Sequence, residues 1–212
     1  MGKVKFEISM SLDGYVAGPN PTLEEPLGER GEELHEWIFG LDAWRQAHGK
    51  GEGERGADND VIAESVASQG AVIMGRKMWS GGSGPWEDDP NADAWWGDEP
   101  PFHVPVFVLT HHARAAETKG DSEITFVTEG ADAALALARE AAGEKDVAIA
   151  GGAETGQQFL AAGHLDELNL HIAPVLLGGG TRLFEEGVAP KLELVRTIES
   201  PAVTHLRYRV VG

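Results

Sequence analysis

The chain has 212 residues and carries 17 Lys and Arg against 35 Asp and Glu, a formal net charge of -18; this argues against nucleic-acid binding, which uses Lys and Arg to neutralise phosphates. It has no cysteine, so disulfides, zinc–thiolate centres and cysteine nucleophiles are excluded. No apolar run reaches the roughly 18 residues of a membrane span, and the opening residues lack the apolar core of a signal peptide; the expectation is a cytoplasmic protein with one domain over residues 1–212.

The first residues alternate, with Val4, Phe6, Ile8 and Met10 on one face, which predicts a strand over 3–12. Asp13-Gly14 reads as a turn. Leu34, Trp37, Ile38 and Leu41 fall at helical spacing and predict a helix over 31–41. The Gly-rich segment 49–60 reads as a loop, followed by a helix that Asp60 caps and Gly70 closes. "AVIMG" (71–75) is a short buried strand. Residues 80–101 read as a loop in which Trp86, Trp95 and Trp96 either pack or form a lid over a flat substrate, packing being the preferred reading.

Strands are predicted over 104–110 and 124–128, and an Ala-rich helix over 131–142. "DVAIAGG" predicts a further strand and "AETGQQFLAAG" a helix. β structure resumes over 167–180, and the segments flanking Pro201 read as a closing antiparallel pair. The apolar runs 104–109 and 147–150 suit strands covered on both faces. The pattern is that of an α/β/α sandwich with a central mixed, mostly parallel sheet and a C-terminal antiparallel hairpin.

Three strand ends carry residues suited to phosphate. At Gly151-Gly152 a strand hands over to a helix, whose N-terminus offers free N–H groups and the positive end of the helix dipole; glycine lets a ligand approach that backbone. Gly151, Gly152, Ala153 and Glu154 form either a pyrophosphate cradle or a plain tight turn. After Gly75, Arg76 and Lys77 stand where the helix dipole disfavours cations, which leans toward an anion site over a solvated basic pair. Thr110, His111, His112 and Arg114 form either a phosphate-monoester site or a polar loop. A metal site is not expected, because His111 and His112 are adjacent and point apart. There is no G-x-G-x-x-G after the first strand.

The segments "VIMGRKMW", "VFVLTHHAR" and "AIAGGAETGQQFL", in this order and spacing, resemble the three cofactor segments of the dihydrofolate reductase superfamily. "ISMSLDGYVAG" and "DELNLHIAPVLLGGGTRLF" resemble more closely its branch that includes the reductase domain of riboflavin biosynthesis. The resemblance implies NADPH and a homodimer. It implies that Gly75, Arg76 and Lys77 face the pyrophosphate and the 2′-phosphate. Thr110 and His111 then border the adenine ribose, with Arg114 as an extra cation. Gly151, Gly152, Ala153, Glu154 and Thr155 wrap the pyrophosphate and nicotinamide side, and Ser9, Val16 and Ala17 lie near the nicotinamide.

The chemistry so implied is hydride transfer to a C=N or C=O carbon of a small heterocycle, either pterin-like or resembling a 5-amino-6-ribosylaminouracil phosphate. Four residues are candidates for the catalytic polar groups, each against a plainer reading. Asp13 is otherwise a turn former, Glu33 and Glu36 are otherwise solvated helix residues, and His171 is otherwise a packed strand residue. A noncatalytic nucleotide-binding module and a flavin- or phosphate-ester-binding protein of the same architecture are the competing readings.

Overall fold

The computed structural model describes residues 2–92, 96–184 and 189–211. Its main sheet is built from β1 (Val4–Ser11), β3 (Gln69–Gly75), β4 (Val106–Leu109), β5 (Glu117–Lys119), β6 (Ser122–Val127), β7 (Asp146–Gly151), β8 (Glu167–Ala173), β10 (Lys191–Glu199) and β11 (Thr204–Val211). The strand order is β10-β11-β8-β1-β7-β3-β4-β6-β5. The run from β8 to β6 is parallel. Antiparallel pairs close both sides, β5 on β6 and the β10–β11 hairpin on β8. A second, two-stranded sheet joins β2 (Tyr15–Ala17) to β9 (Thr181–Arg182).

Alternation along β1 decides what each face holds. Val4 and Phe6 enter the larger core with Ile73, Phe107, Ile149 and Phe159. The helices α5 (Ala131–Ala142) and α6 (Ala153–Ala161) cover that face. The other face carries Glu7, Ser9 and Ser11 in β1. It is covered by α3 (Ala57–Ser68), with α1 (Glu36–Phe39) and α2 (Asp42–Ala47) beside it. Further along the same face Val72, Met74, Val108 and Phe126 pack on Trp79 and Trp86 beneath α4 (Arg76–Ser80). Short apolar strands with helices on both sides are what the runs at 104–109 and 147–150 require.

Several boundaries differ from those read in the sequence. The helix expected over 31–41 is a 3-10 turn (Gly31–Leu34) followed by the single-turn α1, with Leu34, Trp37 and Leu41 buried as the spacing requires and Ile38 half-buried. No element is predicted over α2. α3 begins at Ala57, three residues before the expected cap, after Gly56 in an extended, positive-φ conformation and with no side-chain cap. Gly70 does not close that helix but lies inside β3, against the 142–145 backbone where a Cβ would clash. The β structure expected over 167–180 stops at Ala173, and the chain then turns through Gly178-Gly179-Gly180. β5 and β9 are too short to show a period of two.

The sheet and α6 approach each other at a glycine. A Cβ on Gly156 would lie 2.1 Å from the Phe6 ring, and Phe6 is fully enclosed. Gly156→Ala is therefore expected to force α6 off the sheet and to cost about 1–3 kcal/mol, read as a lower urea midpoint. An unchanged midpoint would contradict this packing.

Candidate active site

The parallel strands β1, β7, β3 and β4 end on one rim, at Ser11, Gly151, Gly75 and Leu109. Gly151 and Gly152 are joined by a cis peptide bond, and α6 starts immediately after them. No side chain caps α6, and the space in front of Gly152 holds no atom within 4 Å of where a Cβ would be. The first N–H groups of α6 are therefore uncapped, with the positive end of the helix dipole behind them. Ala153 and Thr155 are buried and Glu154 is exposed. Gly75 sits against this helix start, since a Cβ there would lie 2.5 Å from Thr155 Oγ1.

The cations of the rim are held by partners. Arg76 is 7% exposed, with Nη1 2.6 Å from Asp89 Oδ2 and its guanidinium 3.5 Å from the Trp86 ring centroid. Its three nitrogens make no directed hydrogen bond among the described residues, so charge and the indole face hold it. Burial alone would raise the Asp89 carboxyl. The Ser80 hydroxyl, the Asn91 N–H and Arg76 together hold it below the usual carboxylate range. Lys77 pairs with Glu154 at 3.3 Å, both largely exposed, an interaction worth little in water. Thr110 ends β4, buried, and its hydroxyl oxygen accepts from the His112 N–H. His111 is exposed. Arg114 lies 4.9 Å from the Trp86 ring centroid and donates to the Ala92 carbonyl and to Glu117.

The tryptophans pack, as preferred above. Trp86 meets Phe126 edge-on, and Trp96 meets Phe102. Trp95 lies outside the described residues.

At the end of β1, Ser9 is buried and its hydroxyl oxygen accepts from Trp37 Nε1. Val16 is buried and Ala17 half-buried in β2, which pairing with β9 holds against the 178–182 turn. Asp13 serves the turn: it accepts from the Ser11 hydroxyl and from the Leu177 and Gly178 N–H groups. The Ser11 hydrogen bond, with help from those backbone groups, lowers its carboxyl to about 2. Glu33 is tied to Arg30 by two hydrogen bonds, and Glu36 is exposed. Neither glutamate has a bond to a rim residue.

His171 is buried in a polar row that sequence reading did not assemble. It stands on β8 in register with Ser9 of β1 and His205 of β11. Its Nδ1 lies 2.7 Å from His205 Nδ1 and its Nε2 3.1 Å from Glu7 Oε1. His205 Nε2 lies 3.0 Å from Asp58 Oδ1, in the first turn of α3. Trp37 covers both imidazoles, with ring centroids 5.0 and 5.1 Å away. The signal available in the sequence was a histidine inside each of two apolar strands; the pairing depends on strand register.

The RibD C-terminal domain family model matches residues 2–206. The chain belongs to this family. Among solved structures, this RibD C-terminal domain is similar to a protein of Shewanella sp. PV-4 assigned to riboflavin biosynthesis, at 22% identity and TM-score 0.64 with both chains fully covered. It is similar to the Thermotoga maritima deaminase/5-amino-6-(5-phosphoribosylamino)uracil reductase at 15% identity and TM-score 0.59, over 99% of this chain and 57% of that one. It is similar to Enterococcus faecalis dihydrofolate reductase complexed with NADP(H) at 15% identity and TM-score 0.53, over 99% and 97%. These likenesses establish the dihydrofolate reductase-like fold. A curated relative, the uncharacterized protein YwjB of Bacillus subtilis (strain 168), is 36% identical over 89 residues, 42% of this chain and about half, 51%, of that protein.

Within this RibD C-terminal domain the Arg76–Asp89 pair is the most enclosed ion pair at the rim, with side-chain exposures of 7% and 2%. Arg76→Ala leaves Asp89 buried and unpaired, and is expected to cost about 3–5 kcal/mol at neutral pH. Asp89 is depressed, so the stability linked to its charge is present above the ordinary carboxylate range and lost on acidification. The gap between wild type and variant in thermal unfolding should therefore narrow as pH falls. A gap that is absent, or that widens in acid, would contradict the pairing.

Proposed function

We propose that the chain is an NADPH-dependent reductase that transfers hydride to a small heterocycle of the pterin or ribosylaminouracil-phosphate type. The observation that carries this reading is the uncapped start of α6 behind bare Gly152, on the same rim as Gly75, Arg76 and Thr110. A diphosphate fits there because the N–H groups of α6 lack acceptors and nothing fills the space before them. Arg76 supports the same reading, with buried N–H groups that no directed hydrogen bond uses.

NADPH, when bound, supplies the hydride. The chain's own residues do the rest. The α6 N-terminus holds the diphosphate, and Gly152 admits it. Arg76 and Lys77 are the cations for a further phosphate on the ribose, with Thr110 and His111 beside it. Ser9, Val16 and Ala17 wall the nicotinamide side and exclude water. The acceptor heteroatom needs a proton as hydride arrives, and the ionisable groups level with Ser9 are His171, His205 and Asp58. Asp58 takes the place sought for Glu33 and Glu36: it begins a helix that runs straight into β3, so it lies toward the rim where β3 ends.

NADPH should quench the tryptophan fluorescence, and at about 100 Kd it should stabilise the fold by about 2.7 kcal/mol, which is roughly 5–10 °C in Tm for a chain of this size. Gly152→Ala should leave the unliganded Tm unchanged, since the backbone angles at 152 suit alanine and its Cβ meets nothing. The same variant should weaken NADPH about ten-fold, or ~1.4 kcal/mol. Unaltered affinity in that variant, or no binding by wild type, overturns the reading. NADPH oxidation with dihydrofolate or with the aminouracil ribosyl phosphate then separates a reductase from a binder without turnover.

A further inference from the structure

The contact between His171 and His205 is nitrogen to nitrogen, Nδ1 to Nδ1, at 2.7 Å. A neutral imidazole has one N–H and one bare nitrogen, and an imidazolium has two N–H groups. Two bare Nδ1 atoms would repel at this distance, and so would two N–H groups. One proton must therefore lie between them. The outer nitrogens leave no freedom, because each Nε2 faces a carboxylate oxygen, Glu7 Oε1 and Asp58 Oδ1, which accept and do not donate when ionised. Both Nε2 atoms carry hydrogen. Two Nε2–H groups plus one shared proton make three N–H protons on two rings, so one ring is an imidazolium.

We propose that His171 and His205 form a single proton store of the reductase site, holding one proton more than two neutral imidazoles, with Asp58 as its outlet at the rim. The use of that proton rests on the reductase reading above; the store itself does not. The transfer balances without an outside reagent. The shared proton shifts from His171 Nδ1 to His205 Nδ1, and His205 passes its Nε2 proton to Asp58. Both rings are then neutral, and Asp58 is a carboxylic acid able to protonate the heteroatom that has received the electron pair. A solvent proton restores the pair afterwards.

The surroundings fit a charge held in this place. Glu7 is bonded by the Ser65 hydroxyl as well as by His171. Burial would raise Glu7, but the His171 hydrogen bond and charge keep it below the usual carboxylate range. His205 is pushed down by burial and by the charge of His171, against the pull of Asp58. His35 is itself pushed down, chiefly by burial. From β10 and β11, Arg196 and Arg207 face the pair across a small cavity of about 20 Å³, and both donate to Glu64, whose single charge offsets one of the two. That volume holds about one water, and the partnerless Asn169 Oδ1 beside it is a ready acceptor. Trp37 lays its ring against both imidazoles, a favourable contact for a cation.

The test uses the ligand-free full chain, labelled with ¹⁵N histidine, so its outcome is independent of NADPH or any substrate. Long-range ¹H–¹⁵N spectra at pH 7 should show one ring with both nitrogens protonated and a partner protonated at Nε2 alone. Two neutral rings, or two imidazolium rings, would overturn the store. The outlet is read separately in Asp58→Asn, which keeps the acceptor oxygen for His205 but cannot take a proton. Exchange of the pair's N–H protons with water should slow about ten-fold in that variant, an effect of ~1.4 kcal/mol on the exchange barrier. Exchange as fast as in wild type would place the outlet on the cavity side and overturn the role of Asp58.

Discussion

The rim depends on a contact that only glycine permits. The end of β3 and the start of α6 meet at Gly75 and Thr155, and at the next residue, Gly156, α6 rides on Phe6. Side chains at these positions would push α6 outward and move its first N–H groups away from the strand ends. Because β7 runs parallel to both β1 and β3, the tight contact brings Gly151-Gly152 level with the ends of its neighbours. The anion-favouring end of a helix, a bare stretch of backbone and the Arg76 guanidinium thereby share one edge of the sheet. The polar row from Glu7 to Asp58 starts on the opposite face of β1 and runs across β8 and β11 to α3. Cofactor-suited and proton-suited groups thus sit on neighbouring parts of one rim.

The strongly negative chain manages its few cations by pairing them. Arg76 has Asp89, Lys77 has Glu154, and Arg196 and Arg207 share Glu64. On β1, Lys5 lies between Asp146 and Glu167, which ties the N-terminal strand to both of its neighbours. These pairs differ in worth. Those of Lys77 and Glu64 are open to water and contribute little. The enclosed pair of Arg76 matters through the penalty of breaking it. Contacts of Arg76 and Arg114 with the Trp86 indole, and of Arg114 with the Ala92 carbonyl, anchor residues 86–92. The loop is held down by packing, the reading preferred over a lid.

Much of this architecture was legible in the residues. The alternation of β1, the apolar runs of β4 and β7, the Ala-rich α5 and the β10–β11 pair each followed from a local period. So did the three strand ends that carry glycine or basic residues. What was not legible depended on register and on distant partners. α2 and the early start of α3 lie in a polar, Gly-rich segment whose helicity comes from contacts, such as the Ala43 N–H on Asn59, that no period reports. Arg76 reads in sequence as a cation of an anion site, and its burial, with Asp89 and Trp86 closed over it, has no local signal. Glu7, Asp58, His171 and His205 are scattered along the chain, 34 residues apart at the nearest, and become neighbours through the β1–β8–β11 register and one helix turn. Asp13, by contrast, has the bonds of a turn former, the plainer of its two readings.

The central claim is that the strand ends and the α6 N-terminus form one site for a dinucleotide. A crystal structure of the protein grown with NADPH tests this most directly. The account predicts diphosphate oxygens within hydrogen-bonding distance of the Ala153 and Glu154 N–H groups, with the nicotinamide beside Ser9. Density for NADPH on the opposite rim, or a diphosphate that passes by α6 without touching its first turn, would contradict it.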